Sequence, residues 1–337
     1  MIEGHGDDCF RYGSKIRHNF STNICSDVDH AGLMAHLSTL GEKLSSYPPP
    51  VPASVETLLA EEAGIGADCV MVATGATEAI YLIAHHLHGS HSAIVSPTFR
   101  EYQDACSVYG HQISFISDLS CIPADAQAVW LCNPNNPTGQ VTDKNLLLKT
   151  IDGHTDIIFI IDQAYCDYTS QPVLSAREAV DCPNVILLHS LTKRFAIPAL
   201  RIGYAIGNPR LLSSVKELRM PWAVNLFAIE GAEYLLRNGN GYRIDHRQLH
   251  AEASRIASRL TELGISVLPT DCNFILCRLP WGKASDLKNF LIDRHGLLIR
   301  DASNFQGLSD AHFRIAAQSR KENDLLISAI KQWMSLS

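Results

Sequence analysis

The sequence predicts an α/β protein in which a large, mostly parallel β-sheet is joined to a smaller α+β unit. Three observations support this fold class. Short apolar runs rich in β-branched residues recur along the chain and are continuous rather than alternating, which is typical of strands buried on both faces. Helical patterns or loops separate these runs. From about Leu211 onward, long helical stretches replace this regular alternation.

The elements of the large unit follow in alternating order. A helical pattern from Val55 to Glu62 ends at Gly64, a residue that favours helix termination. A strand is predicted over 70–73, and the next helix over 76–87. The further strands are predicted at 93–95, 113–116, 128–131, 157–161, 185–188 and 202–206.

The rest of the chain predicts the smaller unit. A helical stretch over 211–236 is interrupted at Pro221, and an amphipathic helix is predicted over 242–263. The later elements are strands at 273–278, 297–300 and 313–316, a helix at 284–294 and a last helix from Glu322. We therefore predict a large α/β domain at residues 25–225 and a small domain built from residues 1–24 and 226–337.

Composition and charge exclude several classes of protein. The chain of 337 residues is 46% hydrophobic and 19% charged, which excludes a disordered protein. Its 28 Lys and Arg against 35 Asp and Glu give a net charge of −7, and it has no long basic run. This argues against a nucleic-acid or anionic-membrane surface. No apolar run of about 18 residues is present that would span a bilayer.

The N-terminal residues and the cysteines indicate a cytoplasmic protein. Residues 1–20 are polar and lack the apolar core of a secretory signal. The ten cysteines are scattered, with no C-x-x-C pair. A chain of this length buries a core without disulfides, so we expect reduced thiols. The four histidines at 85, 86, 88 and 91 lie at a helix end with no acidic or cysteine partner nearby, so we expect no metal site.

Polar residues follow several of the predicted strands directly. Asp162 and Tyr165 follow the strand at 157–161, and Lys193 follows the strand at 185–188, with Arg201 eight residues later. The run NPNNPTG, residues 133–139, follows the strand at 128–131. Because ligands of open α/β sheets collect at the carboxyl ends of strands, these residues predict one site.

A strand–glycine–helix junction is the remaining candidate. Thr74-Gly75-Ala76-Thr77-Glu78 joins the strand at 70–73 to the next helix, and such a junction is a natural anion-binding site. Taken singly, each of these features also fits a surface lysine, an Asx turn or a helix cap.

In combination, these motifs resemble those of the aspartate-aminotransferase fold family of pyridoxal-phosphate enzymes. The resemblance rests on NPNNPTG, Asp162-Gln163-Ala164-Tyr165, Ser190-Leu191-Thr192-Lys193 and Arg201-Ile202-Gly203-Tyr204, and it reaches from the N-terminal segment to Arg314. It implies the fold type I architecture of pyridoxal-phosphate-dependent transferases and pyridoxal 5'-phosphate as cofactor.

The resemblance also implies a role for each residue. Lys193 would form a Schiff base with the cofactor and carry protons as the free amine. Asp162 would pair with the protonated pyridine nitrogen. Tyr165 and Asn136 would bind the phenolic oxygen of the ring, and Phe99 would stack on it. The residues implied around the cofactor phosphate are Gly75, Ala76, Thr77, Ser190, Thr192 and Arg201.

Within this fold, the chain resembles histidinol-phosphate aminotransferases and threonine-phosphate decarboxylases. Both have an extended N-terminal arm followed by a Tyr-Pro element like Tyr47-Pro48. The resemblance implies a homodimer in which Tyr47 reaches the cofactor phosphate of the neighbouring subunit. It also implies that Arg314 binds the substrate carboxylate, a task that suits the bidentate guanidinium.

Three segments resemble the decarboxylase branch more closely. They are the start His5-Gly6-Asp7, the segment Phe20–Ile24, which contains Asn23, and the stretch 298–308, which contains Arg300. The resemblance implies that His5 and Arg300 lie near a substrate phosphate and that Asn23 and Asn136 also contact the substrate. The chain departs from that branch at residue 7, where Asp replaces Gly, and at 25–27, which lacks Asn-Pro-Leu-Gly.

The function predicted from this resemblance is decarboxylation of L-threonine O-3-phosphate, a step of cobalamin side-chain precursor synthesis. The alternative is an aminotransferase of the histidinol-phosphate type, since both reactions need the same lysine, aspartate and arginine. A third reading, a non-catalytic sensor domain, requires an attached DNA-binding module and does not explain Lys193.

Overall fold

A computed structural model of the chain describes residues 7–25, 28–242 and 244–336. Its helices are α1 (Ala31–Ser38), α2 (Ala53–Ala63), α3 (Ala76–His86), α4 (Glu101–Val108), α5 (Lys144–Gly153), α6 (Ala176–Asp181), α7 (Leu191–Arg194), α8 (Pro209–Lys216), α9 (Leu226–Arg237), α10 (His246–Glu262), α11 (Ala284–His295) and α12 (Arg320–Met334). Its strands are β1 (His18–Asn19), β2 (Val70–Ala73), β3 (His91–Val95), β4 (Gln112–Ile116), β5 (Ala128–Cys132), β6 (Ile158–Asp162), β7 (Val185–His189), β8 (Gly203–Gly207), β9 (Ser266–Val267), β10 (Phe274–Arg278), β11 (Leu297–Leu298), β12 (Arg300–Asp301) and β13 (His312–Ala316).

A seven-stranded sheet in the order β2-β8-β7-β6-β5-β3-β4 forms the centre of the large unit. Its strands pair in parallel except for β8, which is antiparallel to both β2 and β7. The predicted fold class, with a mostly parallel sheet, is therefore confirmed. The parallel register of β5, β6 and β7 brings their carboxyl ends to one edge, where Cys132 pairs with Asp162.

The continuous apolar runs are explained by burial on both faces of this sheet. In β6, Phe159 and Ile161 lie in one hydrophobic core, while Ile160 lies in the core on the opposite face. Alternate side chains of a strand point to opposite faces, so a strand with both faces covered needs apolar residues at every position.

The small unit is built on an antiparallel sheet of order β12-β13-β10-β9. Its core contains Ile275 and Phe313 from this sheet and Leu326 from α12. Strand β1 pairs in parallel with β11, so the N-terminal segment joins the small unit. The division of the chain into 25–225 and the remainder stays a prediction. In the structure, Ala228 and Leu235 of α9 belong to a core of the large sheet, so that core extends past residue 225.

Two helix starts differ from their predicted positions because side chains cap them. The Ser319 hydroxyl accepts a hydrogen bond from the Glu322 backbone, and the Glu322 carboxylate accepts one from the Ser319 backbone. This capping box makes Arg320 the first residue of α12. Likewise, Asp245 caps α10, which begins four residues after the predicted Tyr242. No helix in the described residues is both long and apolar enough to cross a membrane.

Candidate active site

A cavity of ≈ 270 Å³ lies at the carboxyl edge of the large sheet, where the small unit meets it. Most of the residues predicted for the site line this cavity, although they come from distant parts of the chain. They are Asn23, Ala76, Thr77, Phe99, Asn136, Asp162, Tyr165, Ser190, Thr192, Lys193, Arg201, Arg300 and Arg314. The assembly of these side chains follows from the parallel register of the strands that precede many of them.

Three predicted residues do not line the cavity in this way. Gly75 directly precedes the lining residue Ala76, and a Cβ added to it would meet the Arg201 guanidinium. Tyr47 is 88% exposed and packs on Trp222, with ring centroids 5.7 Å apart. His5 lies outside the described residues.

One end of the cavity is built to receive an anion. Helix α3 points the backbone N–H groups of Ala76 and Thr77 into the cavity, and the first turn of a helix favours negative charge. Gly75 precedes it at φ +86°, and a Cβ there would lie 2.8 Å from Arg201 Nη2. Glycine therefore provides both the backbone conformation and the room for the guanidinium.

Two further features complete this anion site. The hydroxyl oxygens of Ser190 and Thr192 lie 2.6 Å apart at the same end of the cavity. A Cβ on Gly203 would lie 2.5 Å from the Ala76 nitrogen, so the strand that follows Arg201 must carry glycine to approach the helix start. Backbone N–H groups, two hydroxyls and one guanidinium form a donor set that fits a phosphate group.

Lys193 lies on the short helix α7 and is half-buried at the cavity wall. Burial and the positive charges of Arg314 and Arg201 lower its pKa to about 8. Its Nζ lies 5.7 Å from the centre of the Tyr165 ring. An amine whose pKa is close to neutral is available both as a nucleophile and as a proton carrier.

Asp162, the last residue of β6, is 4% exposed and lines the cavity. Its Oδ2 accepts a hydrogen bond from the Tyr102 hydroxyl at 2.7 Å, and its Oδ1 accepts one from the Ala164 backbone at 2.8 Å. Burial raises the pKa of Asp162, whereas these two hydrogen-bond donors and the positive charge of Lys193 lower it. A carboxylate held in this way suits a cationic ring N–H as partner.

Asn23 and Tyr165 form a second polar pair in the cavity. The Asn23 side-chain nitrogen donates to the Tyr165 hydroxyl at 3.2 Å. Burial raises the pKa of Tyr165, so its hydroxyl stays protonated. The Asn23 Oδ1 is buried without a hydrogen-bond partner among the described residues. A buried polar atom that lacks a hydrogen-bond partner at a cavity wall indicates a contact with a ligand.

Arg300 and Arg314 lie directly opposite each other on the antiparallel strands β12 and β13. Opposite residues of a strand pair project from the same face of the sheet, so both guanidinium groups reach the cavity. Burial lowers the pKa of each to about 10, and Arg300 adds to the effect on Arg314. Like charges in this position destabilise a sheet, so their pairing indicates function rather than stability.

The contacts of Arg314 are all with neutral groups. Its Nη1 donates to Asn136 Oδ1, and its Nη2 donates to the Ser21 carbonyl oxygen at 2.6 Å. Its Nε is buried without a hydrogen-bond partner in the described part of the chain. No carboxylate of a described residue forms an ion pair with it. The cavity therefore holds a buried cation whose charge is unbalanced, and an anionic ligand would balance it.

The N-terminal arm covers one side of this cavity. Asp7 lines it, with its backbone N–H donating to Ser21 Oγ at 3.1 Å and its carboxylate accepting from Asn19 at 2.6 Å. The next residue, Asp8, forms an ion pair of 2.6 Å with Lys288, which is 9% exposed. The arm is thereby fixed to helix α11 of the small unit.

Several residues that line the cavity were not predicted from the sequence, and three of them are of particular interest. Tyr102 binds Asp162, Cys132 lines the cavity at the end of β5, and Ser21 accepts from Arg314. Cys132 had a detectable signal, because it directly follows a predicted buried strand, as Asp162 does. The contact of Tyr102 depends on how α4 packs, and the Ser21 contact uses a carbonyl group, which every residue has.

Comparisons with known proteins agree with this geometry. Residues 18–330 match the family model described as aminotransferase class I and II. The chain is 29% identical to the threonine-phosphate decarboxylase of Salmonella typhimurium, over 81% of this chain and 79% of that protein. It is also 29% identical to the histidinol-phosphate aminotransferase of Parabacteroides distasonis, over 85% of this chain and 86% of that protein.

Among solved structures, the L-threonine-O-3-phosphate decarboxylase of Porphyromonas gingivalis superimposes with a TM-score of 0.92 at 33% identity. This alignment covers 95% of the present chain and all of that one. The histidinol-phosphate aminotransferase of Clostridium acetobutylicum superimposes with a TM-score of 0.85 at 25% identity.

Proposed function

Because the chain belongs to the class I and II aminotransferase family, we propose that it is a pyridoxal-phosphate-dependent lyase that decarboxylates L-threonine O-3-phosphate. The observation that carries this proposal is the opposed pair Arg300 and Arg314, which face a cavity that also holds Lys193 and Asp162. The names of the relatives, decarboxylase and aminotransferase alike, support a phosphorylated substrate.

The donor set of the cavity supports the cofactor assignment. The start of α3, Ser190, Thr192 and Arg201 would hold the cofactor phosphate, and Asp162 would pair with the ring nitrogen at the opposite end. When bound, pyridoxal phosphate supplies an electron sink for the negative charge that develops on the substrate α-carbon. Lys193 supplies an amine that bonds to the cofactor and moves protons at its Nζ.

The two arginines support a substrate that carries two anionic groups. Arg314 is buried among neutral acceptors and would take the α-carboxylate as a bidentate ligand. Arg300 would take the phosphate. Burying an anion without a charged partner is costly, so a substrate with a carboxylate and a phosphate needs two separate cationic groups.

The products formed from L-threonine O-3-phosphate test the reaction directly. The lyase and the transferase use the same residues and differ in the bond of the substrate that breaks. We expect release of carbon dioxide from L-threonine O-3-phosphate and no keto acid. Formation of a keto acid, or faster turnover of histidinol phosphate with an amino-group acceptor, would instead assign the chain to the aminotransferases.

Replacing Arg300 with alanine tests the phosphate contact. We expect kcat/KM for L-threonine O-3-phosphate to fall about 100-fold or more, because one partner of a desolvated charge pair is lost. Activity toward unphosphorylated threonine, which we expect to be low in the wild type, should change little. Arg278→Ala is the matched control, since Arg278 is an exposed arginine at the end of β10 in the same sheet. An unchanged preference for the phosphorylated substrate in Arg300→Ala would contradict this assignment.

An exposed apolar surface supports a homodimer. Leu44, Tyr47, Val51, Met220 and Trp222 are all large hydrophobic residues with 38% to 88% of their surface exposed. Tyr47 packs on Trp222, whose backbone N–H donates to the Pro50 carbonyl at 3.0 Å. Exposed apolar groups that cluster in this way mark an interaction surface. We propose that a second copy of the chain covers it and that Tyr47 then reaches the partner's cofactor phosphate.

Sedimentation of the purified protein tests this assembly. We expect a mass about twice the 37.1 kDa of one chain. A charge at the centre of the surface, Trp222→Asp, should yield monomers with little activity, because an unpaired carboxylate in an apolar interface is costly. Leu325→Asp serves as the control, since Leu325 is exposed on α12 of the small unit. A fully active wild-type monomer would refute the shared site.

The cysteines support a cytoplasmic location for this enzyme. All ten are free thiols, and five of them, such as Cys272 and Cys277, are buried in the structure. Thiols that persist unpaired are typical of a reducing compartment.

A further inference from the structure

We propose that Tyr102 is a positioning residue that holds Asp162 ionised and in a single orientation at the cavity wall. This inference rests on the proposed function, because Asp162 matters for catalysis only if a cofactor ring binds beside it. The sequence motifs assign no residue to the task of holding the Asp162 carboxylate. It follows from one buried hydrogen bond and from the way that α4 is packed.

The hydrogen bond joins two groups that are both hidden from bulk water. Tyr102 is 1% exposed, and its hydroxyl donates to Asp162 Oδ2 at 2.7 Å. The Ala164 backbone N–H donates to the other carboxylate oxygen at 2.8 Å. An ionised carboxylate is purely an acceptor, so two donors aimed at its two oxygens favour the charged form.

The ring of Tyr102 is fixed on two sides. It stacks on Trp130, with centroids 5.8 Å apart and planes at 23°, and it meets Phe99 edge-on at 5.7 Å. Trp130 is anchored in turn, since its Nε1 donates to Ser92 Oγ at 3.1 Å. The hydroxyl of Tyr102 is therefore held between the Asp162 carboxylate, to which it donates, and the Cys132 thiol.

The turn that leads into α4 positions both Phe99 and Tyr102. Tyr102 is the second residue of α4, and its backbone N–H lies 3.5 Å from the Phe99 carbonyl oxygen. Phe99 lines the cavity as the candidate for stacking on the cofactor ring. This short segment therefore positions both the aromatic ring on which the cofactor would stack and, through Tyr102, the Asp162 carboxylate at the edge of the cofactor ring.

The other titratable groups around Asp162 explain why this donor is needed. Burial raises the pKa of Asp162 and so favours its neutral form. Cys132 on β5 and Tyr165 after β6 are neutral neighbours, because burial raises the pKa of each. Lys193 favours the charged carboxylate, but its own pKa is lowered to about 8. Tyr102 supplies a stabilisation of the charge that persists whether or not Lys193 is protonated.

Arg314 and Arg201 are two further charged residues that line the cavity, as Asp7 and Arg300 also do. Arg314 and Arg201 both lower the pKa of Lys193, whereas Asp7 raises it. Arg314 also lies near Tyr165 and lowers the pKa of that hydroxyl against the effect of burial. Neither arginine forms a hydrogen bond with Asp162, so the direct contacts that determine its charge are those of Tyr102 and Ala164.

The variant Tyr102→Phe removes the donor and keeps the ring. Hydrogen bonds to a charged group are worth enough to shift a pKa by about one to two units, so the pKa of Asp162 should rise by that amount. The test follows the binding of pyridoxal phosphate to cofactor-free protein by absorbance between pH 5 and 9. In the wild type, we expect affinity to fall in acid as Asp162 takes up its proton. In Tyr102→Phe, this fall should begin about one to two pH units higher.

Three further variants separate positioning from a general loss of packing. Tyr204→Phe removes another buried hydroxyl, from the core on the opposite face of the sheet, and should leave the pH profile of binding unchanged. Asp162→Asn should lack the fall in acid. In the Asp162→Asn background, Tyr102→Phe should then have no further effect on the profile. Equal shifts in Tyr102→Phe and Tyr204→Phe, or a full shift in the double variant, would overturn the inference.

A second measurement keeps the inference testable if Tyr102→Phe does not fold. The infrared carboxyl band of the cofactor-free wild type, taken as a difference from Asp162→Asn, reports the protonation of Asp162 directly. We expect its midpoint in the acid range, and a midpoint above neutrality would overturn the inference. A wild type that binds no pyridoxal phosphate at any pH would contradict the proposed function itself, while this infrared midpoint would still be measurable.

Discussion

Lys193→Ala is expected to abolish the visible absorbance of the bound cofactor and to lower kcat by at least about four orders of magnitude. The variant lacks the amine that, in the proposed function, bonds to the cofactor and carries protons. The phosphate contacts at the start of α3 remain, so pyridoxal phosphate should still bind, but without the absorbance band of the covalent form. Absorbance spectra and steady-state kinetics measure the two effects.

The stability of Lys193→Ala should not fall, which separates loss of chemistry from loss of fold. Burial beside Arg314 and Arg201 lowers the pKa of Lys193 to about 8 from 10.5. The folded protein therefore binds this proton less well than the unfolded chain, and stability rises with pH between about 8 and 10.5. At neutral pH, the protonated Lys193 destabilises the folded state by at most about 3 kcal/mol, a value that partial exposure of the side chain reduces.

Two controls accompany this prediction. Lys193→Arg keeps a positive charge but offers a guanidinium that stays protonated and does not react as an amine, so it should be as inactive as Lys193→Ala. Lys331→Ala alters an exposed lysine on α12 and should behave as the wild type. If Lys193→Ala retains the absorbance band or turns over substrate within about tenfold of wild type, the assignment of the lysine is wrong.

Asp162→Asn is expected to lower kcat by about three orders of magnitude while pyridoxal phosphate still binds. The amide keeps the shape of the side chain and loses its charge. Without a carboxylate, the ring nitrogen is not held in its protonated form, and the ring is a weaker electron sink. Cofactor affinity should fall far less than kcat, because the phosphate contacts lie at the other end of the cavity.

A variant of the same strand serves as the control for this second prediction. Asp156 lies exposed just before β6, at the end remote from the cavity, so Asp156→Asn should have wild-type kinetics. Asp162→Asn should also resist unfolding at neutral pH at least as well as the wild type, because a buried charge is removed. Activity of Asp162→Asn within a few-fold of wild type would show that no cationic ring nitrogen depends on this residue.

The order of the motifs was enough to predict much of the fold and of the site. Asp162 and Lys193 each follow an apolar run, and a parallel sheet brings the carboxyl ends of such strands to one edge. The glycines at 75 and 203 are tied to the site by close approaches that the structure makes visible, although only the first was predicted as part of it.

The parts that were not predicted depend on distant packing. The opposition of Arg300 and Arg314 follows from the register of β12 on β13, and the sequence does not encode register in any short pattern. The contact between Tyr102 and Asp162 joins residues 60 positions apart through the packing of α4. The start of α12 was missed by two residues, although Ser319 and Glu322 are a recognisable capping pattern.

If Arg300 and Arg314 bind the substrate as proposed, the register of β12 on β13 also limits the length of substrate that they can hold. Opposite residues of an antiparallel pair have Cβ atoms about 5 Å apart, so the strand backbones fix the separation at which the Arg300 and Arg314 side chains begin. A rigid sheet cannot lengthen this spacing to suit a longer molecule. The hydrogen bonds between β12 and β13 would then determine the selectivity for a substrate with a short carbon skeleton between its two anionic groups. A shift of β12 by one residue would turn the Arg300 side chain to the opposite face of the sheet.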